Sequence, residues 1–206
     1  MALIDISQVL GPALPGWPGE PGFGLRRHAA IGPGCPVNTA ELTLSTHAGT
    51  HADAPLHYHE GGIDSAGSPL DPYVGPCVVL DARDAGAAVT PDDVDWDAIT
   101  ASRVLFRTYE RFPHEAWDAA STAIAAETIE RLASLDVALI GTDSASLDPQ
   151  DSKTMDAHHA VRRHDMRILE GLVLDHVAPG RYELIALPLP IAGADASPVR
   201  AVLRTL

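Results

Sequence analysis

The chain has 206 residues, 46% hydrophobic and 20% charged, which suits one globular domain over residues 1–206 and argues against a disordered chain. Twenty-eight Asp and Glu against 14 Lys and Arg leave a net charge of −14. So acidic a surface repels phosphate backbones and anionic headgroups, so neither nucleic acid nor a membrane is an expected partner.

The first residues, Met1-Ala2-Leu3-Ile4-Asp5, have no basic region, and no apolar run nears the ~20 residues of a membrane span. Two cysteines, Cys35 and Cys77, make neither a disulfide framework nor a cysteine zinc site. The expectation is a cytoplasmic protein. Leu3–Val9 reads as the first strand, followed by a Pro/Gly-rich arm over Gly11–Gly24 with Trp17 in its middle. Val37–Ser45 reads as a strand and Gly61–Pro76 as a long loop. Further strands are predicted at Cys77–Ala82, Arg103–Thr108, Val137–Gly141, Gly171–Leu174, Tyr182–Leu189 and Val199–Arg204. Helices are predicted after the Thr90-Pro91-Asp92-Asp93 cap, over Thr128–Leu135 and over Asp156–Met166. Strands outnumber helices, and the pattern implies an α/β or α+β domain around a mixed sheet.

Four of the ten histidines, His47, His51, His57 and His59, fall within thirteen residues. The potential ligands His47, His51, Asp53 and His57 share one parity, so an extended backbone would put them on one face. Pro55 forbids a long helix here, and Gly49 permits a bend that brings backbone close to an ion. Imidazoles and a carboxylate with such spacers suit a divalent ion such as Zn²⁺ or Mn²⁺. Downstream, Asp148-Pro149-Gln150-Asp151-Ser152-Lys153 precedes His158-His159, His164-Asp165 and Glu170. His158 on a predicted helix, or Glu170 at the start of a predicted strand, could complete a metal site. No Gly-x-Ser-x-Gly elbow, Gly-x-Gly-x-x-Gly, P-loop or His-Glu-x-x-His is present.

His47-Ala-Gly-Thr-His51-Ala-Asp53-Ala-Pro-Leu-His57 resembles the His-x-Gly-Thr-His-x-Asp-x-Pro-x-His signature of the metal-dependent cyclase-type hydrolases. Asp5-Ile6-Ser7, Trp17-Pro18-Gly19, Ile140–Asp143, Asp148–Lys153, Ile168–Asp175 and Tyr182–Leu189 extend the likeness almost end to end. They favour the bacterial kynurenine formamidases (arylformamidases) within that family.

This resemblance implies a compact mixed-sheet α/β domain of the swivelling β/β/α type, usually a homodimer, which would set the Gly11–Gly24 arm near the partner. It implies two divalent ions, usually Zn²⁺. His47, His51 and Asp53 would hold the first, with Asp53 bridging; His158 and Glu170 would bind the second, with Glu170 also touching the first. His158 is chosen over His159 from its spacing to Glu170. The resemblance makes His57 the general acid/base and puts Trp17 in the substrate pocket. A fourth protein ligand from His57 would close an ion that needs an open position. The implied reaction is hydrolysis of N-formyl-L-kynurenine to L-kynurenine and formate in tryptophan degradation. The alternatives are a sibling hydrolase acting on another aryl or cyclic amide, such as an isatin-like lactam, and a non-catalytic metal-binding protein.

Overall fold

The computed structural model describes residues 1–206. In chain order its elements are β1 (Leu3–Asp5), β2 (Gly24–Ala29), β3 (Thr39–Thr43), β4 (His51–Asp53), β5 (Val74–Asp81), β6 (Ala88–Val89), β7 (Arg103–Arg107) and β8 (Ala123–Ile124). Then follow α1 (Ala126–Ala133), β9 (Leu139–Thr142), α2 (Asp156–Arg163), β10 (Arg167–Glu170), β11 (Gly180–Ile185), β12 (Ala196–Pro198) and β13 (Val202–Thr205).

Nine strands form one mixed sheet in the order β1-β13-β11-β5-β7-β9-β10-β4-β12. Its middle, β5-β7-β9-β10, is parallel, and both flanks are antiparallel. The central strands are apolar runs because both sheet faces are covered. Alternation divides each run between the faces. Val78, Leu80, Val104, Phe106, Ile140 and Ile168 meet Ile129 and Leu132 of α1 and Ala157, Ala160 and Val161 of α2. Cys77, Val79, Leu105, Leu139 and Leu169 point the other way, into a second core with Ile6, Leu184 and Leu203. The sheet curls over that second core, because Val173 N–H donates to the Ile6 carbonyl at 2.9 Å although β1 and β10 lie far apart in strand order.

The predicted α/β class and mixed sheet are observed, with several local corrections. The predicted strand at Gly171–Leu174 is not one; the strand is Arg167–Glu170 and stops where the prediction begins, because Gly171 turns the chain at φ +61°. Its charged ends hide it from a hydrophobicity reading, yet Arg167 and Glu170 are both buried. The Thr90 cap starts a single 3-10 turn, Pro91–Asp93, and no longer helix. Helix α2 ends at Arg163, three residues before the predicted Met166, where Asp165 adopts φ +50°. The Gly61–Pro76 loop contains two 3-10 turns and the start of β5. Strands β2 and β12 carry no strong apolar alternation and were not predicted.

Candidate metal centre and active site

Strand β4 supplies His51 and Asp53, two residues apart and therefore on one face of the strand. The expected single extended face does not exist beyond them. His47 lies in the turn before β4, and His57 closes a 3-10 turn, Pro55–His57, that begins with the proline. The four side chains converge because the backbone bends at both ends of a three-residue strand.

Antiparallel register sets Glu170 of β10 opposite His51. Helix α2 brings in His158, while the neighbouring His159 points to solvent. Gly49 (φ +64°) and Gly171 (φ +61°) make the close approach possible: a Cβ on Gly171 would stand 2.6 Å from the Gly49 carbonyl oxygen.

Asp53 stands at the centre. Its Oδ1 is 3.2 Å from His47 Nδ1 and 3.4 Å from His51 Nε2, and its Oδ2 is 3.3 Å from His158 Nε2. Glu170 closes the ring, with Oε2 at 3.3 Å from His51 Nε2 and Oε1 at 3.6 Å from His158 Nε2. These groups are 1–3% exposed for His51, Asp53, His158 and Glu170. His51 Nε2, both Asp53 oxygens and His158 Nε2 are buried with no hydrogen-bond partner. Burying a carboxylate costs several kcal/mol unless a cation compensates it, and unpartnered buried donors and acceptors add to that.

The outer nitrogens of the rings are all engaged. His51 Nδ1 is 3.0 Å from the Gly49 carbonyl, His158 Nδ1 is 2.6 Å from Asp148, and His47 Nε2 is 3.1 Å from Asp195. These acceptors assign the protons to the outer nitrogens and turn the three inner lone pairs toward Asp53. Asp148 also accepts from the Ala157 and His158 backbone N–H groups, capping α2 from outside the helix. Leu147 N–H fixes Glu170 Oε1 at 2.8 Å.

The donor set therefore fits a divalent cation, as groups that pack His47, His51 and Asp53, or Asp53, His57 and His158, within 4.8 Å. Without one, protons take its place. Burial lowers the His51 and His158 pKa values, but Asp53 with Glu170 around His51, and Asp148 with Asp53 around His158, outweigh it and push both to about 10. Burial raises Asp53, yet the imidazoles of His158, His47 and His51 crowded around it hold it well below the usual carboxylate range.

Above this floor opens a pocket lined by His47, His51, His57 and Glu170 below and by Trp17 and Trp117 on its wall. The two indoles pack edge to face with centroids 5.3 Å apart. Trp17, predicted from the resemblance alone, thus reaches the pocket from the Gly11–Gly24 arm of its own chain. His57 is partly exposed on the pocket side, its ring centroid 4.3 Å from that of His47.

Three acids escaped the sequence reading in their roles. Asp148 was noted without a partner. Asp195 sits among small residues with no histidine nearby, and only its place beside β4 reveals it. Asp143, raised by burial to about 6, accepts from Thr108 N–H and Oγ1 and from Tyr109 N–H and so braces the pocket wall.

A family model described as "Putative cyclase" matches residues 4–149. The chain is 62% identical to the kynurenine formamidase of Sphingopyxis alaskensis over 203 residues, 98% of this chain and 97% of that one. The chain belongs to the cyclase family, on its kynurenine formamidase branch. Among solved structures of similar fold, the "predicted metal-dependent hydrolase" of Bacillus stearothermophilus superposes with a TM-score of 0.82 at 28% identity, covering 98% of this chain and 97% of that chain. An isatin hydrolase bound to the product analogue thioisatinate gives a TM-score of 0.83 at 24% identity, covering 98% and 91%, and so shares the fold with this cyclase-family chain.

Proposed function

We propose that this chain hydrolyses N-formyl-L-kynurenine to L-kynurenine and formate. The observation that carries the reading is the set of buried, unpartnered donor atoms of His51, Asp53 and His158 at the foot of a tryptophan-walled pocket. The 62% identity to a kynurenine formamidase supports the choice of substrate.

We assign His47, His51 and Asp53 to one divalent ion and His158 with Glu170 to a second, Asp53 lying between them and Zn²⁺ being the best match to the donors. Such ions, when bound, lower the pKa of water and polarise the formyl oxygen. The remaining chemistry belongs to the chain. Water adds to the formyl carbon, the C–N bond breaks, and the arylamine nitrogen needs a proton because the amide anion is a very poor leaving group. His57, beside the floor and open to the pocket, takes up the proton that the attacking water gives up and delivers it to that nitrogen; such assistance is typically worth ~10²–10⁴-fold. Trp17 offers an apolar face to the aryl ring. No Lys or Arg lines the pocket, whereas Glu20 and Asp118 do, which suits the substrate's ammonium group.

Both faces of β3 are exposed, and Leu25 (61%), Ile31 (67%), Val37 (51%) and Leu42 (52%) stand open around the β2–β3 hairpin. A lone two-stranded hairpin is marginal in water, so a second copy of the chain covers it, making a homodimer. Light scattering at twice 21.7 kDa is expected, and 21.7 kDa at micromolar concentration refutes the dimer. No helix is long and apolar enough to cross a membrane, and we place the protein in the cytoplasm.

The decisive assay follows arylamine absorbance with N-formyl-L-kynurenine, N-formylanthranilate and isatin, before and after chelation. Turnover of the first, lost on chelation, is expected. Preference for isatin reassigns the chain to lactam hydrolysis, and no turnover of any amide leaves a metal-binding protein.

A further inference from the structure

We propose that Asp195 is a positioning residue for His57, presenting that imidazole to the pocket. The inference rests on the reading of His57 as the proton donor.

Asp195 immediately precedes β12, whose Ala196 pairs with Asp53. Its carbonyl accepts Ala54 N–H at 2.8 Å, so its backbone is tied to the end of β4. Thr46 Oγ1 donates to Oδ1 at 2.8 Å, leaving Oδ2 for the histidines. His47 Nε2 is 3.1 Å from Oδ2, and His57 Nδ1 is 3.5 Å from the same oxygen. One carboxylate oxygen thus lies between a floor residue and a pocket residue. With His57 Nδ1 turned to the carboxylate, Nε2 is the nitrogen left to face the leaving amine. The 3.5 Å separation is long, as such contacts commonly are before substrate binds and they tighten. The Asp195 side chain is 42% exposed, so it is no buried structural ion whose loss would unfold the protein.

An acid that only supported His47 would act through metal content, and one that only stabilised the fold would act on every substrate alike. A double-mutant cycle on metal-loaded enzyme separates these roles from positioning. Asp195→Asn, His57→Ala and the double variant are compared for bound metal by elemental analysis. Their kcat is measured on N-formyl-L-kynurenine and on a formyl ester of an acidic phenol, whose departure needs no proton. Asp195→Asn is expected to keep its ions and to lose roughly 10- to 100-fold in kcat on the amide, much less on the ester. In the His57→Ala background it should cost nothing further. An unchanged kcat, loss of metal, equal losses on both substrates, or a loss that adds in full to that of His57→Ala overturns the proposal. Failure of the His57 reading shows separately, as a His57→Ala variant that loses metal or harms amide and ester equally.

Discussion

The floor and the wall of the pocket are built by opposite means. The floor groups His51, Asp53, His158 and Glu170 sit on β4, α2 and β10, almost fully buried, each held by ladder register or a hydrogen bond to its outer edge. The wall groups Trp17, Glu20, Trp117 and Asp118 come from irregular segments and are partly or fully exposed. Rigid elements hold reacting groups to within fractions of an ångström, while loops can change without disturbing the core. In this fold, then, the sheet and α2 hold the buried donor groups, and irregular segments wall the pocket above them.

Damage to the floor should be total. Chelation, or His51→Ala, is expected to remove metal and reduce turnover to background, read by elemental analysis beside the arylamine assay. Full activity in metal-free protein would break the comparison at its root. His57→Ala lies at the boundary between floor and wall. It should keep its metal while amide turnover falls roughly 10²-fold or more, with an activated formyl ester largely spared. Loss of an ion instead would make His57 part of the floor.

Asp148→Ala tests how the floor is braced. It removes the acceptor on His158 Nδ1 and the cap on α2. Metal affinity should fall roughly 10- to 100-fold, and the fold should lose about 1 kcal/mol or more in urea melts. Trp17→Ala tests the wall. KM should rise by roughly 2- to 10-fold, the worth of one aromatic contact, with kcat, metal content and Tm unchanged. A fall in metal content would show that wall and floor are not separable.

The smallest effect is a pH dependence confined to the metal-free protein. His51 and His158 are raised from 6.5 to about 10, so the folded state binds protons more tightly than the unfolded one. Their stabilising contribution is full below pH 6.5 and is lost as pH rises toward 10. Chelated protein should therefore lose stability between those pH values, while loaded protein, whose histidines are deprotonated by the ion, should not. Thermal melts at both ends of that window, with and without chelator, check the sign.

The His47–His57 segment was legible because its residues are close in the chain, and local bends at Gly49 and Pro55 suffice to bring them together. The means was misread: parity suggested one extended face, whereas two turns around a short strand achieve the convergence. The apolar strands β5, β7 and β9 were also legible, since coverage on both faces demands uninterrupted hydrophobic runs. Strand β10 was displaced by several residues because its buried ends are Arg167 and Glu170, which hydrophobicity counts as surface.

The residues alone determined an α/β or α+β domain around a mixed sheet, the metal-binding composition of the first cluster and the absence of phosphate-loop and serine-elbow motifs. Tertiary structure decided that His158 and not His159 turns inward, because the phase of α2 buries one and exposes its neighbour. It also decided that Asp195 stands beside His47 and His57 across 148 and 138 positions of chain. Such pairings follow from strand register, and register is set by the packing of the whole sheet, so no local spacing encodes them.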